Sequence, residues 1–190
     1  MKILEIKPDK RSFETALSLL QHIPNGMKFA VWQAIKKSLV AGRKVASMRV
    51  GKVYRIKAKE IKGQMALKVR SNSQEVVGSL AAKGSALPVR LFHVNPNSDT
   101  TGNRRQLIRV AVRKDSRPKP LATGFVSSRW QGNVYIRQKG ERRPKAVYTV
   151  SVPQMLGNEG VSEAIIERID EMFHKTLHHE VDYRLQKGQA

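Results

Sequence analysis

Cysteine is absent from all 190 residues, so neither a disulfide nor a thiolate metal site can hold this chain together. Aromatic residues are scarce at 6%, which leaves little for a sheet that stacks bases in rows. The closely spaced aromatics of an RNA-recognition sheet are missing too. No run approaches the roughly 18 uninterrupted apolar residues that a spanning helix needs. The opening "MKILEIKPDKRSFE" lacks the apolar stretch of a secretory leader, so a soluble protein made and kept inside a cell is expected. Catalytic signatures are lacking as well: there is no GxSxG, no glycine-rich loop ahead of Lys-Ser or Lys-Thr, and no pair of acids in a recognisable setting. The expectation is that this is not an enzyme and takes no cofactor.

Negative charge is what the middle of the chain lacks most. From Lys28 to Lys145 there are 28 Lys and Arg against 5 Asp and Glu, a net of +23. The two ends together hold 8 basic and 10 acidic residues, a net of −2. Five carboxylates also make a multi-metal nuclease hard to build there. A total of +21 exceeds what solubility requires, and self-repulsion of that size weakens a compact state. A polyanionic partner is the natural compensation: nucleic acid first, an anionic membrane second, an acidic protein third.

The 40% hydrophobic content is enough for a folded chain with a substantial core. The pattern predicts one domain over 1–190 of the α+β class. It has a helical part (9–62), a strand-rich basic part (64–152) built as a mostly antiparallel central sheet, and a long C-terminal helix (158–187) packed on that sheet. "KILEI" reads as a short strand. Asp9 or Ser12 can cap a helix whose face is Phe13, Ala16, Leu17 and Leu20. A second helix follows Pro24-Asn25-Gly26 with Met27, Val31, Ile35 and Leu39 on one face, and Gly42 and Gly51 weaken its continuation. "KVYRIKAKEIK" is basic nearly all round and reads as a short surface helix. Then the period becomes two: Leu67 and Val69 oppose Lys68 and Arg70, and "EVVGSLAAKG" and "LPVRLFHV" read as strands. "NPNSDTTGN" is a turn-rich loop expected to be mobile. Past "SRPKP" the chain reads as paired strands, with Gln131-Gly132-Asn133 turning between Trp130 and Val134. After "SVPQMLGNEG" the last helix begins at Asn158, with a broad apolar stripe of Val161, Ile165, Ile166, Ile169, Met172, Phe173, Leu177, Val181 and Leu185.

Candidate contacts follow from this pattern. In "NRRQLIRVAVRKDSRPK", Ile108, Val110 and Val112 face one way, while Leu107, Arg109, Ala111 and Arg113 face the other. Arg109, Arg113, Arg137, Lys139, Lys68 and Arg70 stand at outer strand positions, where they can meet phosphates without reading sequence, or meet an acidic protein surface. Tyr54, Trp130 and Tyr135 are aromatics available for stacking, whereas Trp32 reads equally as a core or interface residue. On the last helix, Val161, Ile165 and Ile169 are expected in the core, and Phe173, Leu177 and Val181 at an interface with another subunit. His174 and His178 stand four apart, a chelating spacing to which Asp170 or Glu171 can add oxygen. No Glu directly follows His174, so the zinc-protease motif is absent; the plainer reading is a solvated helix face, and no metal site is assigned.

The order Phe125-Val126, then Gly132, Val134 and Arg137, then Val147, then "SVPQML", then "IIERIDEMFHKTLHHEVDYRL" resembles the minor tail protein Z family of lambda-like tailed phages, over about residues 121–185. The helix-rich stretch over 9–62 fits it more loosely, and 64–120 adds only a basic, strand-rich character. The resemblance implies a structural virion protein, from phage or prophage, that acts in tail completion and head–tail joining at the neck. It implies self-assembly as a ring, expected to be a hexamer, around the DNA channel. It also implies docking to tail terminator, tail tube and head–tail connector proteins and non-specific contact with double-stranded genome DNA, with no membrane partner. The implied location is the virion, and the host cytoplasm during assembly. No catalytic residues come with the family. The other reading is a stand-alone, sequence-nonspecific nucleic-acid-binding protein.

Overall fold

The computed structural model describes residues 2–6, 10–20, 22, 25–72, 75–101, 107–130 and 132–188. The chain has the expected α+β class, with helices early, antiparallel strands, and a long closing helix. The central sheet, however, is divided, among the described residues, into three antiparallel sheets of three strands each. The chain forms two compact units: residues 1–46, 65–83 and 156–190 make the first, and 47–64 and 84–155 make the second.

In the first unit, β1 (Lys2–Ile6), β2 (Met65–Ser71) and β3 (Val76–Ala82) form a sheet ordered β1-β3-β2. Opposite Leu67 stands Leu80, and opposite Val69 stands Gly78. Because side chains alternate, Met65, Leu67 and Val69 share a face with Val76, Gly78, Leu80 and Ala82. On that face lies α2 (Gly26–Val53), close enough that a Cβ on Gly78 would stand 2.2 Å from Ile35 Cγ2 and 3.1 Å from Leu39 Cδ1. Glycine is required there by close approach. α1 (Lys10–Leu20) buries Ala16 and Leu20 and packs against the last helix, α5 (Glu159–Gly188). α5 and α2 meet where Gly42 abuts Ile169. Of the caps proposed for α1, Asp9 lies outside the described residues and Ser12 falls inside the helix. The side chains of Phe13 and Leu17 lie outside the description as well.

Two helix expectations are corrected. α2 runs through both Gly42 and Gly51. A helical glycine costs about 1 kcal/mol, less than the burial of the neighbouring Leu39, Ala46 and Val50 returns. The basic run 52–62 is not one helix. Tyr54 bridges to Arg113, Arg55 N–H donates to Val112 O (2.9 Å), and Lys114 N–H donates to Val53 O (2.9 Å). These strand-like bonds draw the backbone out of helix, and only α3 (Ala58–Gly63) is helical afterwards, burying Ile61.

The second unit holds β4 (His93–Asn95), β5 (Ile108–Ala111) and β6 (Lys119–Leu121) in one sheet, and β7 (Gly124–Ser127), β8 (Asn133–Ile136) and β9 (Lys145–Ala146) in another. Both sheets feed one core of Val89, Ile108, Val110, Val126 and Val134, with Val94, Val112, Leu121, Phe125 and Val147 against it. Each fully buried valine or isoleucine contributes about 1.5–3 kcal/mol. Leu87 and Val89 pair with the backbone of 147–150, but Leu91 N–H then closes a 3-10 turn onto Pro88 O (3.1 Å). "LPVRLFHV" is therefore a bridge, a turn at Val89–Leu91 and β4, not one strand. The β7–β8 connection is also longer than expected. A 3-10 turn at Ser128–Trp130 takes Trp130 off the strand, and Gly132 returns the chain at φ +64. α4 (Val152–Leu156) begins where Ser151 N–H and Oγ both meet Gln154 Oε1 and Gln154 N–H faces Ser151 Oγ, a reciprocal capping box.

Candidate nucleic-acid interface

Charge divides with the fold. The second unit carries 20 Lys and Arg against 4 Asp and Glu, a net of +16, and the first carries 16 against 11, a net of +5. The four carboxylates of the second unit have identifiable surroundings. Asp115 takes a two-pronged hydrogen bond from Arg113 (3.0 and 2.9 Å), which holds its carboxyl below the usual range against the opposing effect of burial. Glu141 pairs with Lys145 at 2.6 Å. Asp99 accepts from Thr101 and Ser128. Glu60 lines a cleft described below. Among the described residues, two ion pairs therefore offset only a small part of the unit's positive charge.

The sequence-derived candidates fall into three groups. Arg109 is exposed on β5, opposite Asn95 and Pro120, and Arg113 follows β5 with its guanidinium 5.9 Å from the Tyr54 ring. Arg137 and Lys139 follow β8 in the other sheet, both exposed. Arg137 lies 5.7 Å over the Phe125 ring, part of a cluster in which Trp130 and Tyr135 stand edge to face at 4.9 Å. Lys68 and Arg70 belong to the first unit, exposed on the face of β2 opposite α2. The alternation read in Asn103–Lys119 holds for buried Ile108 and Val110 and exposed Arg109, but Ala111 is buried as well. Residues 103–106 of that stretch lie outside the described residues.

Phe173, Leu177 and Val181 were expected at a subunit interface. They are 3%, 4% and 5% exposed within the chain itself, so their apolar surface is already covered by core. Val161, Ile165 and Ile169 are core as expected. An aspartate at Val181 would therefore strain folding much as one at Ile169 would. His174 Nε2 lies 3.5 Å from Asp170 Oδ1 along one helix face. Among the described residues, no group of three or more His, Asp or Glu is placed to hold a metal ion, and no helix is long and apolar enough to cross a membrane.

Sequence reasoning missed a cleft of about 480 Å³ that lies wholly within the second unit. Leu91, Phe92, Val126 and Val134 supply apolar walls, and Lys57, Glu60, Arg90, His93 and Asn97 supply the polar groups. An adjoining groove of about 380 Å³ shares Lys57, Leu91, Phe92 and His93 and extends to Arg55 and Lys114. These residues come from segments near 57, 92, 126 and 134, and no local pattern links them. The loop expected to be mobile is instead tied down at its centre. Thr100 is buried, its N–H donates to Val126 O (3.0 Å), and its Oγ1 accepts from Val126 N–H (2.9 Å). Compared with protein-family models, with curated proteins and with solved structures, the chain matches none.

Proposed function

We propose that this chain is a structural protein of a phage tail, acting in tail completion and head–tail joining at the neck, with its second unit turned toward the genome DNA. The observation that carries the nucleic-acid half is the partition of charge, +16 on one unit with half of its few carboxylates in ion pairs. Contacts from Arg109, Arg137 and Lys139 are weak and independent of sequence, which suits DNA that must later move, while Arg113 is held by Asp115. What supports the tail half is the resemblance over 121–185, whose residues include the buried Val126, Val134, Val152, Met155 and Leu156. No catalytic step is assigned.

The test is immunodetection of the chain in gradient-purified particles after induction of the source's prophages, together with duplex binding by the purified protein. A constant amount per particle in the tail fraction is expected, with affinity that falls steeply as salt rises. Particles that form without the protein, while it remains free in the lysate and still binds duplex, would turn the assignment to a stand-alone nucleic-acid-binding protein.

A further inference from the structure

We propose that the cleft of the second unit seats one nucleoside 5′-phosphate, either as a unit of an unpaired strand or as a free nucleotide. This goes beyond phosphate contact with duplex DNA, and it rests on the reading that the second unit meets nucleic acid. The cleft has the size expected for such a ligand, about 480 Å³. Its chemistry is divided as a nucleotide's is. Half-buried Leu91 and the small exposed edge of Phe92 (7%) supply the apolar wall that suits the face of a base, with the core residues Val126 and Val134 behind them. Lys57 and Arg90 are exposed cations on the rim, placed for a phosphate. Asn97 carries both a donor and an acceptor, and Glu60 an acceptor, for the edge of a base. Gly132 sits at the wall in the left-handed region, and a Cβ there would stand 3.9 Å from Arg90 Nη1. The adjoining groove, with Arg55 and Lys114 on its lining, continues the cationic path for the next phosphate. Duplex DNA keeps its bases stacked and cannot lay one on that wall, so an unpaired unit is the natural occupant.

The experiment measures binding of the full chain to a single-stranded oligothymidylate of about 12 nucleotides carrying one central 2-aminopurine, and to a duplex of equal length. The double variant Lys57→Ala/Arg90→Ala is compared with Arg142→Ala/Arg143→Ala, which removes the same charge from exposed positions outside the cleft. Melting curves of both confirm folding. The expected result is a change in 2-aminopurine emission on binding, and a loss of single-strand affinity of roughly tenfold or more beyond that of the control pair. Duplex affinity should fall by similar amounts in the two variants. Competition by thymidine 5′-monophosphate extends the site to free nucleotides, and its absence confines the site to a strand unit. Equal losses of single-strand affinity in both variants, from a protein that binds duplex, overturn the cleft assignment and leave the proposed function standing. Failure to bind either nucleic acid overturns the nucleic-acid reading itself.

Discussion

Asp99 receives hydrogen bonds from the N–H and Oγ1 of Thr101 on one oxygen and from the N–H and Oγ of Ser128 on the other. The hydroxyls of Ser128 and Thr101, followed by the two backbone donors, hold its carboxyl well below the usual carboxylate range. A depressed folded pKa means that the stabilisation is fully present above the unfolded value, near 4, and is lost as pH falls through the folded one. Asp99→Ala should therefore lower the melting temperature at neutral pH, with the gap to wild type narrowing steadily below about pH 4. A gap of constant size across that range would show that the charge is not what pins the loop. Glu180 behaves in the same sense. Burial pushes its carboxyl up, but Lys37 Nζ at 2.7 Å and Arg184 Nη1 at 2.6 Å outweigh this and hold it low. Lys37 is half exposed, which screens its share. Glu180→Gln should cost about 1–2 kcal/mol in urea unfolding at pH 7 and less in acid. Neither arrangement was legible in the sequence, because Ser128 lies 29 residues from Asp99 and Lys37 lies 143 from Glu180.

At the scale of elements, two glycines of one helix make opposite predictions. A Cβ on Gly42 would stand 2.5 and 2.6 Å from Ile169 Cγ1 and Cδ1, whereas one on Gly51 would meet nothing within 4 Å. Gly42→Ala should lower stability by roughly 1–3 kcal/mol through overpacking between α2 and α5, while Gly51→Ala should raise it by up to about 1 kcal/mol. Urea midpoints of the two variants check both signs, and equal shifts would mean that α2 and α5 do not touch at Gly42. Glycine by itself reads as a helix breaker, so the sequence ended α2 too early; the packing that tolerates Gly42 comes from Ile169, far along the chain. Where the pattern is periodic the sequence was sufficient. Val161, Ile165, Ile169, Phe173, Leu177 and Val181 recur every four residues and mark α5, although Ile166, counted in the same stripe, is 54% exposed; Leu67 and Val69 against Lys68 and Arg70 mark β2 with the correct inward face. The stripe did not reveal which part faces a neighbour, since all six residues are buried in the chain's own core. Short basic segments such as 52–62 misled for the same reason: long-range backbone bonds to 112–114 decide their conformation.

For the whole molecule, the uneven charge makes a graded prediction. If the second unit is the DNA-facing part, alanine at Arg109, Arg137 and Lys139 should lower duplex affinity and reduce the slope of log affinity against log salt by roughly 1 for each phosphate contact removed. Alanine at Lys68 and Arg70, in the first unit, should leave that slope nearly unchanged. Equal slopes for the two sets, measured by titration at several salt concentrations, would show that charge acts through the total and not through its placement. The division into units also sets an order of events during synthesis. Neither unit is a continuous stretch of chain: the second is complete at residue 155, but the first waits for residues 156–190. That last segment carries 7 of the 15 acidic residues and only 4 of the 36 basic ones. The growing polypeptide is thus at its most positive, +24, when the second unit has just emerged and α5 has not. Domains fold as units, in order of synthesis, so the second unit has all of its residues before α5, the strongly acidic part of the first, has been made.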